Sequence, residues 1–169
     1  PQVQPFSASE FDRALRAMLH VGDRAKGAAT SMDVGLVYVD LRACQLMFAG
    51  AKVDLLIGTA DGASRLSGGR RALAERVVGD YQNTPMQIDP AATYLLSSDG
   101  VLDQNGEHDA LGFGRARLLA LLRAHARDPL ADFGRALETQ LAEYQGKVAQ
   151  RDDISVLAFR VELASGAAS

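Results

Sequence analysis

Ser98-Asp99-Gly100-Val101-Leu102-Asp103, straight after the apolar run Tyr94-Leu95-Leu96, is the stretch whose reading decides the fold. A strand that ends in Asp-Gly is an ordinary turn when it stands alone. Here a second acidic cluster answers it: Arg151-Asp152-Asp153-Ile154-Ser155, straight before the last apolar run of the chain. Asp99 and Asp152 are 53 positions apart, with two helical patterns between them. If the two apolar runs are neighbouring strands, the carboxylates converge. Converging carboxylates repel, so one must take a proton or a cation must sit between them. Hard oxygen ligands with no His or Cys beside them suit Mg²⁺ or Mn²⁺ better than Zn²⁺. Taken singly, each cluster also reads as a plain turn or an exposed strand edge.

Working outward, the pattern predicts an amphipathic helix over residues 8–20, with a capping box at Ser7-Ala8-Ser9-Glu10 and Phe11, Leu15, Met18 and Leu19 at helical spacing. Residues 22–31 read as a polar loop. Strands are expected at 34–39 and 45–48, joined through Asp40-Leu41-Arg42-Ala43, then at 53–57 and, after the turn dipeptide Asp61-Gly62, at 64–70. Two more are expected at 84–88 and 93–97, joined by a turn at Asp89-Pro90, where proline has no ladder donor. Helices follow over 111–126, with Leu118, Leu119, Leu121 and Leu122 on its apolar face, and from Asp128-Pro129 to about Tyr144, with Phe133, Leu137 and Leu141 one turn apart. Gly146 ends the second of these. Residues 154–161 read as a final strand, long enough to be central in a sheet. Strands come in runs rather than alternating with helices, so the expected class is α+β, a layered β-sandwich flanked by helices.

The bulk properties fit one domain: 169 residues, 47% of them apolar, enough to bury a real core. A net charge of −3 asks for neither nucleic acid nor an anionic membrane. The lone Cys44 has no partner for an internal disulfide, which points to a reducing compartment. No apolar run approaches the ~18 residues of a membrane span, and no signal-peptide pattern is visible. Residues 1–6 read as a linker and 163–169 as a frayed tail.

The two acidic stretches, in this order, resemble the C-terminal motifs of the PPM (type 2C) metal-dependent serine/threonine phosphatases, in particular the bacterial SpoIIE-like branch. Other segments agree: Met32-Asp33-Val34-Gly35-Leu36; Phe48-Ala49-Gly50-Ala51-Lys52, where many members carry an Asn-Ala-Gly-His-like stretch; Gly69-Arg70-Arg71; and Gly112-Phe113-Gly114-Arg115-Ala116-Arg117-Leu118-Leu119. The resemblance covers about residues 30 to 162. No single motif is highly specific; their order and spacing are.

The resemblance implies that Asp99 and Asp152 are catalytic metal ligands for a pair of Mn²⁺ or Mg²⁺ ions. Asp103 and Asp153 come second, Asp103 for an accessory third ion or a water and Asp153 for orienting its loop. It implies hydrolysis of a phosphoserine or phosphothreonine by direct attack of a metal-activated water. The substrate would be a small phosphoprotein of the anti-sigma-factor-antagonist (STAS) type, a homodimer is compatible, and neither nucleic acid nor membrane contacts this chain. Such domains sit at the C-terminus of cytoplasmic or membrane-anchored sensors, the SiaA type among them, so a cytoplasmic location is expected. The family's N-terminal Asp-x-x-Gly-His-Gly motif is not found. The chain therefore reads as the C-terminal two-thirds of such a domain, as a fragment, as a partly represented protein, or as a truncated relative. The rival reading is a catalytically inactive module of the same fold that binds or dimerises with a signalling partner. His20, His108 and His125 read as surface or capping residues, and Gly68-Gly69-Arg70-Arg71 as a solvated turn rather than a site for an anion such as phosphate.

Overall fold

A computed structural model of the chain describes residues 8–18, 31–77, 79–109 and 111–163. In chain order the elements are α1 (Ala8–Met18), β1 (Val34–Asp40), β2 (Gln45–Ala51), β3 (Leu55–Gly58), β4 (Ala63–Leu66), β5 (Thr84–Gln87), β6 (Thr93–Ser97), α2 (Asp99–Asp103), α3 (Gly114–Ala124), α4 (Leu130–Gln145) and β7 (Val156–Phe159). They fall into two compact units. The α+β class read from the sequence holds: the strands form two antiparallel sheets, and helices accompany them. The linker over 1–6 and the loop over 22–30 lie outside the described residues, as do Leu19 and His20 at the end of the expected first helix.

The first unit contains α1 and a sheet of order β1-β2-β5. The β-branched and aromatic residues of β1 favour a pleated, half-buried strand, and it pairs with β2 from Val34↔Ala51 to Asp40↔Gln45. The connection is local chemistry: Asp40 Oδ1 accepts the main-chain N–H groups of Arg42 (2.9 Å) and Ala43 (3.0 Å). Ala49, Ala51, Leu73 and Tyr81 form the core, with Leu15, Val34 and Leu36 packed on it. Of the expected apolar face of α1, Leu15 packs on this core and Met18 is 77% exposed, whereas Asp12 is buried. Asp12 Oδ1 accepts the Ala74 N–H (2.7 Å) and Oδ2 pairs with Arg16 Nε (2.7 Å), so a charge-assisted bond docks this helix.

The second unit contains the sheet β4-β3-β6-β7 with α2, α3 and α4. β6 pairs with β7 from Tyr94↔Phe159 to Ser97↔Val156, and the first pair stacks its rings at 5.3 Å. Burial pushes the Tyr94 phenol above its ordinary pKa. Leu56, Leu95, Val101, Phe113, Leu118, Leu121, Leu122, Phe133, Leu137 and Leu141 make one core. Each such side chain contributes about 1.5–3 kcal/mol on burial. The helix phases follow the sequence pattern, and Gly146 ends α4 at φ 55°, a conformation that other residues adopt at a cost.

The turn expected at Asp89-Pro90 is present, with Ala92 N–H donating to Asp89 O (3.0 Å), and it leads from β5 in one sheet to β6 in the other. Two expectations need correction. α3 begins at Gly114 rather than 111, and Leu111 is 71% exposed. β7 is four residues long and stands last in its sheet, with Val156 and Leu157 exposed among the described residues. An apolar run alone does not tell a central strand from one that ends a sheet.

Candidate metal centre

The geometry starts from the β6–β7 ladder. Its last pair is Ser97↔Val156, and one residue further Ser98 N donates to Ser155 O (2.9 Å). The Ser98 hydroxyl then does two jobs. It donates to Asp153 O (3.0 Å) and accepts the Ser155 N–H (3.0 Å). A small hydroxyl thus continues the pairing where the ladder stops. It ties the residue before Asp99 to the residue after Asp152.

At that point the chain turns into α2, with Asp99 as its first residue and Asp103 as its last. Four positions apart, the two share a helix face. Gly100, the second residue, lies against the segment that leads into β7. A Cβ there would fall on the Asp153 carbonyl oxygen, well inside contact distance, with the Asp152 oxygen at 3.3 Å. Only glycine allows this approach. The main chains that carry Asp99 and Asp152 therefore meet, as the sequence reading required of neighbouring strands.

The four aspartates are exposed. Asp152 Oδ1 accepts the N–H of Asp153 (2.7 Å), and its carbonyl accepts Gln150 Nε2 (2.8 Å). Among the described residues the Asp99 and Asp103 carboxylates enter no hydrogen bond or ion pair with the protein. Two carboxylates with free lone pairs, presented at one end of a sheet with no imidazole or thiolate grouped with them among the described residues, suit a hard divalent cation. Among the described residues no three His, Cys, Asp or Glu side chains gather as a metal group.

Two residues here escaped the sequence reading. Ser98 was legible only as part of the quoted motif, with no role of its own. Gln104 gave no signal, because a lone amide after a turn fits no period; it is wholly buried. Its Nε2 donates to Asn105 O (3.1 Å) and Ala149 O (3.4 Å), and its Oε1 accepts Arg151 N (3.3 Å). Of the other residues singled out, His108 is exposed, and His125 follows α3 and contacts Asp128 at 2.8 Å. Arg71 pairs with Glu75 at 3.2 Å, which spends its charge locally.

Comparison with known proteins gives this arrangement its class. The SiaA-PP2C domain of Pseudomonas aeruginosa superposes with a TM-score of 0.79 at 44% identity, over 90% of this chain and 58% of that one. The serine/threonine phosphatase PstP/Ppp of Mycobacterium tuberculosis (TM-score 0.63, 14% identity, 90% and 68% of the two chains) shares the fold. So does the phosphatase domain of SpoIIE from Bacillus subtilis (0.58, 13%, 94% and 68%). The fold is that of PPM, or PP2C-type, phosphatase domains. The family model for stage II sporulation protein E (SpoIIE) matches residues 7–162, and the chain belongs to that family. It spans a little over half the length of the SiaA-PP2C chain. Comparison with the curated proteins finds no match.

Proposed function

We propose that this chain supplies catalytic residues to a SpoIIE-like protein serine/threonine phosphatase. The observation that carries the reading is the Ser98 clamp, which seats Asp99 and Asp152 at one end of a sheet. Membership of the SpoIIE family and the 44% identity to a PP2C domain support it.

In this reading Asp99 and Asp152 hold Mn²⁺ or Mg²⁺, with Asp103 and Asp153 in supporting positions. Such ions supply activation of water and neutralisation of phosphoryl charge. The protein's own part is placement. The Ser98 hydroxyl fixes the Asp153 carbonyl and the Ser155 amide, and Gly100 lets the two Asp-bearing main chains close up. The Asp152–Asp153 contact sets the direction of one carboxylate. Placement of this kind is where most phosphoryl-transfer catalysis resides. The substrate class is a phosphoserine or phosphothreonine on a small STAS-type signalling protein.

Hydrolysis of a phosphoserine peptide by the intact protein, followed with and without Mn²⁺, tests the reading. Turnover is expected only with the metal, and Asp99→Asn or Asp152→Asn should reduce it at least about 100-fold. A folded protein that captures a phosphoprotein without turning it over in the presence of Mn²⁺ would favour the inactive binding module.

A further inference from the structure

Gln104 stands apart from the other buried polar side chains of the described residues. Asp12 docks a helix and Thr93 accepts from Arg160 Nε (2.8 Å), whereas Gln104 reaches from the end of α2 to the loop that leads into Asp152. Burial of an amide is costly unless it is hydrogen-bonded, and this one is bonded at both ends. Its partners at 149 and 151 belong to exposed residues, so the amide ties a surface segment to the core. What the amide adds is position. Its Nε2 and Oε1 hold Ala149 and Arg151 on either side of Gln150, and Gln150 Nε2 in turn holds the Asp152 carbonyl (2.8 Å). The main-chain carbonyl of Gln104 also takes the Phe113 N–H (2.8 Å) just ahead of α3. One buried side chain thereby joins α2, which opens with Asp99, to the segment bearing Asp152.

We propose that Gln104 is a positioning residue for the divalent-metal site, fixing the Asp152 loop relative to Asp99 through its hydrogen bonds to Ala149 and Arg151. The proposal rests on the phosphatase reading above. Groups that orient metal ligands without touching the metal typically govern affinity 10–100-fold.

The test is Mn²⁺ binding by the intact protein, measured from the electron paramagnetic resonance of free Mn²⁺, beside the Mn²⁺ dependence of turnover and the melting temperature. Gln104→Met should raise the Mn²⁺ concentration for half-saturation about 10-fold or more in both titrations. Gln104→Glu keeps an acceptor for Arg151 but turns a carboxylate onto two carbonyls. It should also weaken binding, and it decides the matter if the methionine variant does not fold. Leu137→Ala, a core truncation in the same unit, should lower the melting temperature and leave half-saturation unchanged. A Gln104 variant that melts early yet binds Mn²⁺ like the unaltered protein would overturn the proposal. Asp152→Asn separates the two levels. If it weakens binding and the Gln104 variants do not, only the positioning role fails; if it too has no effect, the metal-site reading fails with it.

Discussion

Gly100 is the residue on which the closure of the site turns. Its missing side chain is what lets α2 begin against the Asp153 carbonyl. Gly100→Ala should therefore cost about 1–3 kcal/mol, as over-packing against main chain does, measured by urea unfolding. It should weaken Mn²⁺-dependent turnover in the same variant. Unchanged stability would mean that the two segments stand further apart than described. A second residue-scale prediction concerns Glu75 in the first unit. Its Oε1 accepts the Ala72 N–H (2.9 Å), with Arg71 and Lys52 beside it. The Ala72 bond foremost holds this carboxyl below its ordinary pKa. A depressed folded-state pKa gives stability that is present above the unfolded value and lost as pH falls through the folded one. The unaltered protein should unfold at higher urea than Glu75→Gln at neutral pH, and the gap should close in acid. A gap that persists at acid pH would contradict the assignment. At this scale the sequence was partly legible. Asp99 and Asp152 drew notice by their places beside apolar runs, and the approach of their main chains follows from the pairing of those runs. Asp12 and Gln104 did not, because a buried polar group is known only by the partners that folding brings to it.

At the scale of elements, the helices were read best. Phe133, Leu137 and Leu141 recur once per turn, and all three are buried on α4. Leu137→Ala should cost about 2–5 kcal/mol by the cavity it leaves, read as a shift in the urea midpoint with the slope unchanged. A shift like that of a surface substitution would remove α4 from the core. The strands were found but not their partnerships. A period of two shows which side of a strand is apolar, and it is silent on which strand lies next. Hence the Asp89-Pro90 turn was legible, and its passing the chain from one sheet to another was not. For the same reason the last apolar run was taken for a central strand, and Leu157 on β7 proves 57% exposed. The five-residue α2 was hidden by its brevity, since a single turn has no period to detect.

For the whole molecule, the order of motifs was more informative than any one of them, and it led to the family that the comparisons show. The class also follows from simple physics. Runs of strands followed by paired helices give an α+β arrangement, and antiparallel pairing of β6 with β7 brings together residues 53 positions apart. No helix among the described residues is long and apolar enough to cross a membrane. The central claim is that Asp99 and Asp152 act as one unit on one metal site. A double-mutant cycle on Mn²⁺-dependent p-nitrophenyl phosphate hydrolysis by the intact protein tests it most directly, comparing Asp99→Asn, Asp152→Asn and both together. Residues that serve one site are strongly non-additive, so the double variant should be scarcely slower than the slower single one. Two losses that multiply independently, or a single variant with full Mn²⁺-dependent turnover, would contradict the account.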